Sequence, residues 1–103
     1  MKKKTYRSKV PFRISFGGGG TDMPDYCKYH TGAVINTTIR LFTHTSLELR
    51  DDTKVTFKWI NKDEFEEHEF SDDLDCSYGL KLFKATHNHI CKRYKIEPIG
   101  YDI

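Results

Sequence analysis

The residues best suited to chemistry lie within ten consecutive positions, Arg13-Ile14-Ser15-Phe16-Gly17-Gly18-Gly19-Gly20-Thr21-Asp22. Four glycines in a row allow positive φ and let a ligand approach bare backbone. A cation and a carboxylate, Arg13 and Asp22, stand nine residues apart at the two ends. Three readings follow from residue types alone. A phosphate cradle is disfavoured, because no Gly-Lys-Ser/Thr ending follows and Thr21-Asp22 stand where a GxGxxG pattern needs its last glycine. Asp22 would also repel the anion that a helix N-terminus attracts. A neutral polyol site fits better, since a carboxylate accepts strong charge-assisted hydrogen bonds from adjacent hydroxyls. The third reading is a plain turn, with Asp22 as a helix cap.

The elements that must carry these residues are legible in part. Val10, Phe12, Ile14 and Phe16 alternate with Pro11, Arg13 and Ser15, which predicts a strand over Val10 to Phe16. Thr21 or Asp22 caps a short helix from Met23 to about Tyr29, with Pro24 in its first turn and Gly32 as the stop. Ala33–Ile39 and Leu41–Leu49 read as two strands, rich in Val, Ile, Thr and Leu. Asp51-Asp52-Thr53 is read as a turn, and Lys54–Ile60 as the return strand of a hairpin with Leu41–Leu49. Asn61–Cys76 is polar and acidic and reads as a loop, with one short strand near His68–Phe70. Tyr78–Tyr94 is the one long helix, with Leu80, Phe83, His87, Ile90, Cys91 and Tyr94 recurring at steps of three and four. Lys92, Arg93 and Lys95 suit its C-terminal end. Tyr101-Asp102-Ile103 begins an extended element. The expected core is Val10, Phe12, Ile14, Phe42, Val55, Phe57, Trp59, Leu80, Phe83 and Ile90.

Composition narrows the classes. The 103 residues suit one domain, and 37% hydrophobic with 14% aromatic residues is too apolar for a disordered tail. No apolar run is long enough for a transmembrane helix. Met1–Lys4 is basic but no apolar stretch follows it, so no secretory signal is expected. The 17 Lys and Arg against 15 Asp and Glu leave a net charge of +2, too balanced for a dedicated nucleic-acid binder. The excess sits at Lys2, Lys3, Lys4, Arg7 and Lys9, and an acidic stretch runs from Asp63 to Asp75. Cys27, Cys76 and Cys91 are odd in number, widely spaced and without CxxC, which argues for reduced thiols and a cytoplasmic setting. No HExxH occurs among His30, His44, His68, His87 and His89, and no metal site is expected.

The stretch Arg13–Asp22, preceded by Pro11 and followed by Tyr26, closely resembles the first motif of the D-glycero-D-manno-heptose 7-phosphate kinases, a branch of the GHMP kinase superfamily. The continuation His30-Thr-Gly-Ala-Val-Ile-Asn-Thr-Thr-Ile39 is similar to the next strand of that branch. The resemblance implies an α+β fold, the partial N-terminal domain of a GHMP kinase, like the second domain of ribosomal protein S5. It implies a mixed sheet with one long helix, cut before the helix of the ATP loop, and one incomplete domain over 1–103. It implies that Gly18, Gly19, Gly20, Thr21 and Asp22 line a sugar pocket. Asp22 would bind sugar hydroxyls, Arg13 would stand near the phosphoryl-accepting hydroxyl as the catalytic residue, and Tyr26 would wall the pocket. In galactokinases Glu and His occupy the two positions before Thr-Asp. Here they are Gly19 and Gly20, which argues against galactose and for a larger sugar.

The resemblance also implies ATP and Mg2+ for the intact enzyme. The ligands for both, a loop of the Pro-x-x-x-Gly-Leu-Gly-Ser-Ser type and a later aspartate, are absent from these residues, so the chain alone is expected to be inactive. The implied activity is ATP-dependent phosphorylation of the anomeric hydroxyl of a heptose 7-phosphate, for nucleotide-activated heptose and surface polysaccharide. Fucose or another sugar is the alternative substrate. The expected partner is a small sugar phosphate, with no nucleic acid and no membrane, and self-association is expected through an uncovered sheet edge. The rival class is a non-catalytic α+β module that binds RNA, suggested by the basic start and 14 aromatics, though no RNP-like aromatic pair is present.

Overall fold

The computed structural model describes residues 3–103, so Lys2 of the basic start lies outside the described residues. The elements in chain order are β1 (Thr5–Gly17), α1 (Pro24–Cys27), β2 (Ile35–Leu49), β3 (Lys54–Trp59), a 3-10 turn (Ile60–Lys62), β4 (Glu64–Glu69), α2 (Lys81–Tyr94) and β5 (Tyr101–Asp102). The strands form one sheet in the order β1-β2-β5-β3-β4. It is mixed: β5 pairs antiparallel with β2 and parallel with β3, and β3 pairs antiparallel with β4. This is the α+β architecture with one long helix read from the sequence. Among the described residues no helix is long and apolar enough to cross a membrane. The chain divides into two compact units: Ser8–His44, and the described residues up to Arg7 together with Thr45–Ile103.

In the larger unit β3 is the centre. Val55 and Phe57 are buried with Leu80, and Phe70, Leu74, Phe83, Tyr101 and Ile103 pack on them. Full burial of a side chain of this size contributes about 1.5–3 kcal/mol. α2 buries Lys84, His87 and Cys91. Ile90 and Tyr94, expected on that face, are exposed. No side chain of its own turn caps α2; the Leu80 N–H donates to Glu66 Oε1 at 2.6 Å instead. The helix ends at Lys95 in the left-handed region, with the Ile96 N–H bonded to the Cys91 carbonyl.

Two expectations about this unit are corrected. β2 and β3 are not hairpin partners, because β5 lies between them. Leu49 and Val55 both register with Tyr101, and the Arg50 N–H donates to Gly100 O at 2.9 Å. The inserted strand satisfies backbone groups that a hairpin would have paired directly. Within Asn61–Cys76 the short strand expected near His68–Phe70 lies earlier and is longer: Glu64–Glu69 is in full register with Lys54–Trp59. Cross-strand partners share a face. Val55 pairs with His68 and Phe57 with Glu66, so the polar residues face the core side and Phe65 is exposed. That inversion hides the strand from a reading based on apolar alternation.

In the smaller unit β1 and β2 supply the strands, with Thr43 Oγ1 donating to Val10 O at 3.4 Å. β1 extends beyond the expected Val10–Phe16, and Ile35–Leu49 is one continuous strand rather than two. α1 is a single turn, shorter than expected. Its N-cap is Met23, without a side-chain cap bond, so neither Thr21 nor Asp22 caps it. Val10, Phe12, Ile14 and Phe16 are exposed and not core.

Candidate functional site

The smaller unit contains an open depression of about 430 Å³, lined by Arg13, Ser15, Gly19, Asp22, Val34 and Asn36. β1 contributes Arg13 and Ser15, which share a face because side chains on a strand alternate. The glycine turn contributes Gly19, and Asp22 follows it. β2 and the residue before it contribute Asn36 and Val34. The lining therefore offers a guanidinium, a hydroxyl, a carboxylate and an amide, with one apolar wall.

The turn explains why glycine is needed. Gly18 and Gly20 have φ of +83° and +96°. A Cβ on Gly18 would stand 1.9 Å from the Ala33 carbonyl oxygen, so the two backbones meet only because Gly18 has none. Gly19 has open space around it and can face a ligand. The Gly20 N–H donates to Asp22 Oδ1 at 3.3 Å, which orients the carboxylate and leaves Oδ2 to accept from elsewhere. Among the described residues neither Arg13 nor Asp22 is held in an ion pair.

Of the residues singled out in the sequence, Arg13, Gly19 and Asp22 come together in the depression. Gly18, Gly20 and Thr21 build the turn, and Thr21 Oγ1 bonds to Gly18 and Ala33. Tyr26 is not in the lining; its ring centre lies 5.1 Å from that of His30, the two planes tilted by 42°. Ser15, Val34 and Asn36 were missed. Ser15 was legible, standing two residues from Arg13 on a strand. Asn36 and Val34 were not, since only the fold brings β2 beside the turn.

A second, smaller depression of about 180 Å³ lies in the larger unit, lined by Lys58, Trp59, Ile60, Asp63, Glu64 and Phe65. Its surface is mostly apolar. Among the described residues no group of three His, Cys, Asp or Glu side chains is placed to hold a metal ion.

The arrangement of these elements is similar to part of two solved structures. A crystal structure of a D-glycero-D-manno-heptose 1-phosphate kinase from Bacteroides thetaiotaomicron matches with a TM-score of 0.78 at 24% identity, covering 96% of this chain and 33% of that one. A Campylobacter jejuni structure, described as a proposed sugar kinase, matches with a TM-score of 0.77 at 34% identity, covering 99% of this chain and 32% of that one. In sequence the chain is 35% identical over 100 residues to the D-glycero-alpha-D-manno-heptose 7-phosphate kinase of Campylobacter jejuni, covering 97% of this chain and 30% of that protein. No family model matches. Similarity to a heptose 7-phosphate kinase thus extends over nearly the whole chain. The chain spans about 30% of the length of the curated relative it matches.

Proposed function

We propose that this chain carries the sugar-binding part of an ATP-dependent sugar kinase whose substrate is D-glycero-D-manno-heptose 7-phosphate, phosphorylated at the anomeric hydroxyl. The product would feed nucleotide-activated heptose for surface polysaccharide, in the cytoplasm. The observation that carries this reading is the convergence of Arg13, Ser15, Asp22 and Asn36 around Gly19 in one depression. Asp22 accepts hydrogen bonds from vicinal hydroxyls of the sugar. Ser15 and Asn36 each donate and accept, which matches a polyol. Arg13 supplies positive charge beside the hydroxyl that receives the phosphoryl group, where negative charge accumulates. Gly19 and Gly20 leave space that larger side chains would fill, in keeping with a seven-carbon sugar.

ATP supplies the phosphoryl group and Mg2+ screens its charge in such a reaction. The residues of this chain do not fit either. The Gly20 N–H that could meet a phosphate is taken by Asp22, and α1, four residues long with Asp25 in its first turn, offers no anion seat. The chain alone binds sugar without turning it over.

The test is calorimetric titration of the 103-residue chain with heptose 7-phosphate. Binding is expected, weakened at least about tenfold by Asp22→Asn, the loss of one charge-assisted hydrogen bond. Equal affinity in the two proteins would refute the role of Asp22.

A further inference from the structure

Thr21 belongs to the motif but not to the lining of the depression. Its Oγ1 is 2.7 Å from Gly18 O and 3.1 Å from both the N and the O of Ala33. A hydroxyl has one proton to give. It donates to the nearer carbonyl, that of Gly18, and accepts from the Ala33 N–H. The Thr21 N–H also donates to Gly18 O, at 3.1 Å. Two close backbone contacts flank this hydroxyl. A Cβ on Gly18 would lie 1.9 Å from Ala33 O, and one on Gly32 would lie 2.2 Å from Thr21 O. Residues 18–21 and 32–33 are thus fitted together at glycines and fastened at one side chain.

We infer that Thr21 is a positioning residue, a latch that holds the two halves of the site in register. Gly19 and Asp22 flank the latch on one segment, and Val34 and Asn36 follow Ala33 on the other. The hydroxyl touches no ligand itself. It fixes where the Asp22 carboxylate stands relative to Asn36, and small errors in such placement weaken recognition steeply. The identity of the ligand rests on the proposed sugar-phosphate reading.

Two readouts on the 103-residue chain test the latch: amide exchange at Ala33 without ligand, and affinity for heptose 7-phosphate. Thr21→Val removes the hydroxyl and keeps the shape; Thr21→Ser keeps the hydroxyl. Thr21→Val is expected to speed Ala33 exchange and weaken binding, each about tenfold for one net hydrogen bond. Thr21→Ser should restore both. Weakened binding with unchanged Ala33 exchange would mean that Thr21 touches the ligand, and the latch would be overturned. Faster exchange with unchanged affinity would overturn its positioning role. If the unmodified chain binds no sugar phosphate, the proposed substrate falls, and the latch is then decided by whether Thr21→Val shifts the Gly19 and Asp22 amide resonances along with Ala33 exchange. Should Thr21→Val fail to fold, Gly18→Ala, which pushes the turn off Ala33, must reproduce the loss of affinity for the latch to stand.

Discussion

Lys84 Nζ lies 3.1 Å from Glu66 Oε2, and the lysine has no exposed surface. The ammonium also sits 3.6 Å from the centre of the Tyr78 ring. Glu66 accepts from His68 Nε2 at 2.9 Å and from the Leu80 N–H, so one carboxylate joins β4, α2 and the turn before it. Removing it strands a charge in the interior. Glu66→Ala is expected to cost about 3–5 kcal/mol, whereas the pair Glu66→Gln with Lys84→Met should cost far less. Urea unfolding of the two proteins decides this; equal losses would contradict it.

The same carboxylate contributes to stability at acid pH. Burial works against its charge, but the hydrogen bonds from His68 and the Leu80 N–H and the contact with Lys84 outweigh it, holding the group below its ordinary value of 4.5. A depressed carboxyl stabilises the fold above its unfolded pKa and loses that contribution as pH falls through the folded one. Stability should therefore drop below about pH 4.5, and Glu66→Gln should flatten that part of the profile. An unchanged profile in Glu66→Gln would assign that loss elsewhere.

His87 and Tyr101 make the corresponding alkaline prediction. His87 Nε2–H donates to Ser71 O at 2.7 Å, which leaves Nδ1 to accept from the Tyr101 hydroxyl. Burial first, and Cys91 second, push the Tyr101 phenol well above its ordinary 10.0. A raised phenol stabilises the fold below the unfolded pKa and loses that contribution as pH rises beyond it. Absorbance titration should show one tyrosine ionising late, absent in Tyr101→Phe, which also loses about 1–2 kcal/mol by leaving buried Nδ1 unpaired. Six tyrosines titrating together would contradict it.

Arg50 is predicted to hold β5 in the sheet. Its guanidinium bonds Asp52 through Nε and Nη2, and Thr56, Glu67 and Asp102 through Nη1. A planar fork serves these partners and an ammonium does not. Arg50→Lys should speed amide exchange at Ile103, whose N–H bonds Thr56 O, while Phe57 stays protected. Exchange at Ile103 unchanged from that of the unmodified chain would remove Arg50 from this role.

The exposed row on β1 predicts self-association. Val10, Phe12, Ile14 and Phe16 are 53%, 48%, 46% and 71% exposed on an edge strand. Such edges pair with other chains. Sedimentation should show oligomers that Val10→Lys with Ile14→Lys reduces. A monomer at all concentrations would contradict this.

Much of this fold was written locally. Alternation gave β1, three- and four-residue steps gave α2, and the Arg13–Asp22 motif gave three residues of the lining. What failed was non-local. Nothing near Arg50 announces that Tyr101, fifty-one positions later, will pair with Leu49 in place of β3. β4 was hidden because Glu66 and His68 face inward, satisfied by Lys84 and the Leu80 N–H, while Phe65 faces out. Asn36 entered the site only through the Gly18–Ala33 approach, which no pattern within β2 records.

The sugar site is tested most directly by an amide-resonance titration of the chain with heptose 7-phosphate. Saturable shifts are expected at Ser15, Gly19, Asp22 and Asn36, and none at Trp59, Ile60 or Phe65 around the second depression. No shifts at all, or shifts confined to Trp59, Ile60 and Phe65, would contradict the assignment of the sugar site to the glycine turn.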